Sequence, residues 1–168
     1  VDIKSTPEGL NKKFEVHLFG RKSNKKRAHE IKLKKIKIFS NIFSYLSEVI
    51  KSTKIDSSKY LVISISPYTF IICLFLRLYG KTPIVYLRSD GYGEYKAIFG
   101  AIGKLFYHLM FNFTSLISNL ISCRNYILKG KNGKVIHPSQ LDSVWLRKPK
   151  SIEFKNFKLL YVGRIRIE

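Results

Sequence analysis

The chain has 168 residues, 45% apolar and 14% aromatic, enough to bury the core of one ordinary domain and too few for two large ones. It carries 31 Lys and Arg against 11 Asp and Glu, a net charge of +20. That excludes a binder of cations and favours nucleic acid, phosphate-rich small molecules or an acidic membrane surface. Cys73 and Cys123 are the only cysteines, which excludes a disulfide-dense module and a four-cysteine zinc site and suits a reducing compartment.

In chain order, residues 14–19 are rich in strand formers and stop at Gly20, so a strand is expected there. Residues 21–37 hold nine Lys or Arg in seventeen positions without an interleaved aromatic. A solvated edge or a surface facing anionic lipid fits that stretch better than a base-stacking platform. Apolar residues alternate with Lys from Ile31, slip phase at Lys34-Lys35, and predict a short strand at 36–39. Ile42, Leu46, Val49 and Ile50 recur at helical spacing over 41–52, with Ser40 or Asn41 as N-cap.

Residues 60–65 and 83–87 are almost unbroken apolar runs, the pattern of strands covered on both faces. Between them 69–79 reads as a helix closed by Gly80, so 60–88 forms a strand–helix–strand unit. A polar, glycine-containing loop is expected over 89–95, then a helix over 97–118 and a strand at 120–123. A further strand at 134–136 ends at Pro138, a short helix follows at 142–147, then a polar linker at 148–157 and a strand at 158–162. This alternation predicts an α/β, Rossmann-like doubly wound parallel sheet, with ligands received by the loops at 66–69, 89–95 and 137–142.

Two uncharged stretches, 61–76 and 105–123, are explained as buried elements of that sheet rather than as membrane spans. No phosphate-binding loop, dinucleotide fingerprint or serine-hydrolase elbow occurs. His17, His29, His108 and His137 lack metal-type spacing, so no metal is expected, and His17 reads as structural. The chain has no initiator Met and no signal-peptide pattern, and it stops just after an apolar strand, so it reads as a fragment cut at both ends.

The run Val135-Ile136-His137-Pro138-Ser139-Gln140-Leu141-Asp142, a linker, and then Leu159-Leu160-Tyr161-Val162-Gly163-Arg164 with Glu168 resembles the domain junction of GT-B-fold glycosyltransferases. The likeness is to the retaining family 4, also called group 1, and extends over about residues 14–168. It implies an acceptor-side domain over 1–147, a linker over 148–157, and the first strand of a donor-binding domain over 158–168. By the same resemblance Gly163 and Arg164 hold the donor phosphates, where a fixed guanidinium stabilises the charge developing on the leaving diphosphate.

Ser89, Asp90 and Gly91 would form the acceptor-side loop, with Asp90 the catalytic or hydroxyl-holding group; read alone, the tripeptide is equally an Asx-type turn. The family's loop histidine and its Asn-Gly before the Asp are not matched here. The implied activity is transfer of a sugar from a nucleotide-sugar, as co-substrate and without a further cofactor, to a glycan or lipid-linked acceptor in surface polysaccharide biosynthesis. The implied location is cytoplasmic, peripheral to an anionic membrane at its inner face. The alternative from the residues alone is a basic α/β module that binds nucleic acid or anionic membrane without catalysis.

Overall fold

The computed structural model describes residues 5–23 and 31–136, all within one compact unit. Their elements are helix α1 (Ser5–Leu10), strands β1 (His17–Arg21) and β2 (Lys35–Phe39), helix α2 (Ile42–Thr53), strand β3 (Leu61–Ile63), helix α3 (Pro67–Leu78), strand β4 (Ile84–Leu87), the helical segment α4 (Gly91–Ile117), strand β5 (Asn119–Ser122), a 3-10 turn at Asn125–Leu128, and strand β6 (Gly133–Val135).

Every strand pair is parallel. β3, β4, β5 and β6 make a four-stranded sheet in chain order, while β1 and β2 pair with each other. The architecture is therefore α/β around a parallel sheet, consistent with a Rossmann-like fold. Among the described strands the four-stranded sheet shows no reversal of strand order. The chain instead steps in one direction, and α3 packs against α2 on one side and α4 on the other.

Local chemistry sets the element ends. Asn41 caps α2, its side chain accepting from the Ser44 N–H at 2.8 Å. Ser66 and Thr69 form a reciprocal capping box on α3, with Pro67 in the first turn. Pro67 thus opens the helix, two residues before the expected start. At the other end Gly80 has φ +73°, its N–H donates to the Arg77 carbonyl at 3.0 Å, and the Lys81 N–H donates to the Leu76 carbonyl at 2.9 Å. These two bonds are a Schellman closure, as Gly80 foretells.

β4 is the most deeply buried strand, with Val85 and Leu87 at 0% and 1% exposure. They pack with Cys73, Met110, Phe111 and Leu120 in the main core, and Val49, Ile72 and Leu76 form a second cluster between α2 and α3. The stretches 61–76 and 105–123 resolve into strand–helix and helix–strand segments of this core. Among the described residues no helix is long and apolar enough to cross a membrane.

α4 departs most from expectation. It begins at Gly91, so Gly91-Tyr92-Gly93-Glu94-Tyr95 is the first helical turn and not a loop. It then breaks at Gly100 (φ 64°, ψ −151°), a conformation essentially reserved for glycine. Residues 92 and 108 would lie about 24 Å apart on a straight helix. Instead the Tyr92 hydroxyl is 2.9 Å from His108 Nδ1, so α4 is a helical hairpin with arms at 91–99 and 101–117. Gly103 lies under the Tyr95 carbonyl, where a Cβ would not fit. Strand β1 also lies later than expected, with Gly20 inside it, and α1 carries no signal strong enough to be foreseen.

Two predictions follow from this packing. Gly100→Ala is expected to lower stability by about 1–3 kcal/mol through backbone strain alone, because open space surrounds its Cβ position. Gly9→Ala, at an exposed site in α1, is expected to be neutral or to gain up to about 1 kcal/mol, and urea unfolding compares the two. Burial pushes the Cys73 thiol from 9.0 up to about 12. Above pH 9 the unfolded chain releases this proton while the folded chain keeps it, so stability falls as pH rises, by about 1.4 kcal/mol per unit from this group. Cys73→Ala is expected to remove that component of the slope in urea titrations between pH 9 and 11.

Candidate functional site

The carboxyl ends of β3, β4 and β5 meet the starts of α3 and α4. β3 is followed directly by Ser64, whose φ of 63° turns the chain sharply into the α3 cap. Its carbonyl accepts from the Thr69 hydroxyl at 3.0 Å. β4 is followed by Arg88-Ser89-Asp90, all half-buried. A small recess between these segments is lined by Ser64, Arg88, Ser89, Gly91, Glu94 and Tyr107.

Asp90 is the N-cap of α4: its Oδ1 accepts from the Tyr92 N–H at 3.3 Å. Its Oδ2 lies 3.6 Å from Lys129 Nζ, and 35% of its side chain remains exposed. Both the turn reading and a ligand-facing carboxylate are therefore compatible with its geometry. Gly91 owes its identity to packing, since a Cβ there would overlap the Tyr107 ring. It is a helical residue rather than part of an acceptor loop, which corrects the reading of 89–91 as one continuous loop.

Lys129 caps the 3-10 turn in a left-handed conformation and sits 5.7 Å from the Tyr92 ring centroid and 5.8 Å from that of Tyr126. From Tyr92 a polar line runs outward along α4. The Asn112 amide nitrogen lies 2.8 Å from His108 Nε2, and His108 Nδ1 lies 2.9 Å from the Tyr92 oxygen. Behind this line Tyr107 is buried at 3% exposure and stacks against Phe111. Burial first, then its neighbour Tyr92 and the carboxylates of Asp90 and Glu94, push its hydroxyl far above the ordinary tyrosine range and keep it neutral. Burial, and secondarily Asp90, also raises Tyr92.

The remaining contacts anchor the neighbouring segments. Ser122 is fully buried, and its hydroxyl donates to the Arg124 carbonyl at 2.9 Å. The Cys123 thiol donates to the Arg88 carbonyl at 3.4 Å, tying β5 to the end of β4. At the end of β1 the Arg21 guanidinium lies 4.5 Å over the Tyr68 ring in the first turn of α3.

Of the residues singled out from sequence, the structure brings Ser89, Asp90 and Gly91 to this edge. Gly163 and Arg164 lie outside the described residues, as do the loop at 137–142, the helix at 142–147, the linker at 148–157 and the strand at 158–162. The structure adds Ser64, Arg88, Tyr92, His108 and Lys129. Tyr92 lies in the segment 89–95 expected to receive ligands; the others gather through the hairpin and the strand order. Among the described residues no group of His, Cys, Asp and Glu is placed to hold a metal. No protein-family model, curated protein or solved structure matches the chain.

The capping role of Asp90 is testable apart from any chemistry. Asp90→Ala is expected to cost about 1 kcal/mol in urea unfolding, and Asp90→Asn to cost little because asparagine caps equally well.

Proposed function

We propose that the chain is the acceptor-side domain of a glycosyltransferase. In this reading it helps move a sugar from a nucleotide-sugar donor to a glycan or lipid-linked acceptor in surface polysaccharide biosynthesis. The observation that carries the reading is the position of Ser89 and Asp90, between the end of the most deeply buried strand and the start of a helix. Parallel sheets take ligands at that edge. The resemblance of the 135–142 and 159–168 segments to a group 1 domain junction supplies the reaction class.

The chemistry then divides between two places. At the described edge, the free lone pairs of Asp90 accept from an acceptor hydroxyl and orient it, while Lys129, 3.6 Å from Oδ2, holds the side chain in place. Arg164 and Gly163 would contact the donor phosphates. A guanidinium fork there binds the departing diphosphate more tightly as its charge grows, which speeds the step rather than merely tightening binding.

The test is sugar transfer by the gene product as the source cells make it, incubated with radiolabelled nucleotide-sugars and lipids extracted from those cells. A labelled lipid or glycan is expected, and Asp90→Asn is expected to lower its rate by about 100-fold at unchanged melting temperature. Absence of labelled product with every common donor would sink the reading. Transfer that Asp90→Asn leaves intact would remove Asp90 from it.

A further inference from the structure

The hairpin of α4 has two apolar faces, and the core uses only one. Tyr107, Met110, Phe111 and Thr114 face inward and are buried. On the outer side Ile98, Ile102, Leu105, Leu109, Phe113 and Leu116 are between 50% and 80% exposed. On the 101–117 arm their spacing of three and four residues places them in one stripe, which runs about 21 Å from residue 102 to residue 116. Ile98 and Ile102 flank the turn at Gly100, so the hairpin tip is apolar as well. A contiguous apolar surface of this kind marks a binding face.

Charge selects the occupant. From Tyr95 to Leu141 the sequence has no Asp or Glu and six Lys or Arg. Lys96 and Lys104 are exposed on α4 itself, and Lys104 shares the polar flank of the 101–117 arm with His108 and Asn112. The stripe would suit a helix from a second copy, but two chains of +20 repel each other. The same charge draws the face toward a negatively charged bilayer.

We propose that the outer face of α4 docks on an anionic lipid bilayer. The 101–117 arm lies in the interfacial plane, with its apolar stripe in the acyl boundary and the lysines reaching to headgroups along their own apolar stems. No described helix is long and apolar enough to cross the bilayer. The inference stands on the exposed stripe and the charge, and does not rest on sugar transfer.

The experiment is flotation of the purified chain with phosphatidylcholine vesicles, with and without phosphatidylglycerol, alongside sedimentation velocity without lipid. The chain is expected to float with the phosphatidylglycerol vesicles. Ile102→Ser combined with Leu109→Ser is expected to lower the bound fraction at least about tenfold, since two large apolar side chains leave the acyl boundary. Both residues are solvent-exposed, so circular dichroism melting is expected to stay unchanged. Lys96→Gln with Lys104→Gln is expected to lower affinity for phosphatidylglycerol vesicles by about 10–30-fold.

Three results would overturn the proposal. Failure of the chain to float with either vesicle would leave a different partner to cover the face. Flotation that survives the double serine variant would make the attraction purely electrostatic. A dimer in sedimentation that the serine variant dissociates would make a second copy the occupant.

Discussion

The ring of Tyr107 occupies the only space that a side chain on Gly91 could have filled. These two residues are sixteen apart on what would otherwise be one helix, and they touch because the chain reverses at Gly100. The reversal needs a positive φ that side chains disfavour, and the arms close only where Gly91 and Gly103 permit it. Once closed, the hairpin fixes several things together. It brings Tyr92 to His108 and seals the core behind Phe111. It also starts α4 directly after β4, which places Asp90 at the carboxyl edge of the sheet. The aromatic contacts among Tyr92, Tyr95, Tyr107 and Phe111 add orientation to that closure, with ring centroids 4.9 to 6.2 Å apart.

What was legible in the sequence is what depends on neighbours in the chain. The buried strands at 61–63 and 84–87 announce themselves because parallel strands covered on both faces leave no room for polar alternation. Gly80 is read correctly, and the α2 cap is narrowed to Ser40 or Asn41, because capping involves residues within one helical turn. The segment 91–95 was misread for the converse reason. Two glycines beside an aspartate imitate a loop, and only the Tyr107 ring, distant in sequence, explains Gly91. The break at Gly100 was equally invisible, since apolar residues continue on both sides of it at helical spacing. The approach of Lys129 to Asp90 depends on strand order, which no local pattern encodes.

The positive charge has little to do with holding the fold together. Glu15 sits among Lys35 and His17, and Glu48 among Lys37 and Lys51, and these bonds hold both carboxylates below their ordinary range. All of these pairs are at the surface, where solvent screening leaves such contacts worth little. They do tie β1 to β2 and β2 to α2, which is an ordering role. The many remaining lysines have too few carboxylates to pair with, because the chain holds almost three cations for each acid. An excess of this size acts at long range, on approach and orientation toward negatively charged partners, and mildly opposes compaction of the chain itself.

Helix α4 therefore carries two separate surfaces on one rigid frame. Its first residue follows the Asp90 cap, and its outer face bears the apolar stripe. A partner bound along the stripe is held near Ser89 and Asp90, because the close Gly91–Tyr107 and Gly103–Tyr95 contacts join the two arms. For a water-soluble acceptor that coupling would have no consequence. For an acceptor anchored in a bilayer it turns a search through solution into a search along a surface, raising the local concentration at the sheet edge without any added contact to the reacting group.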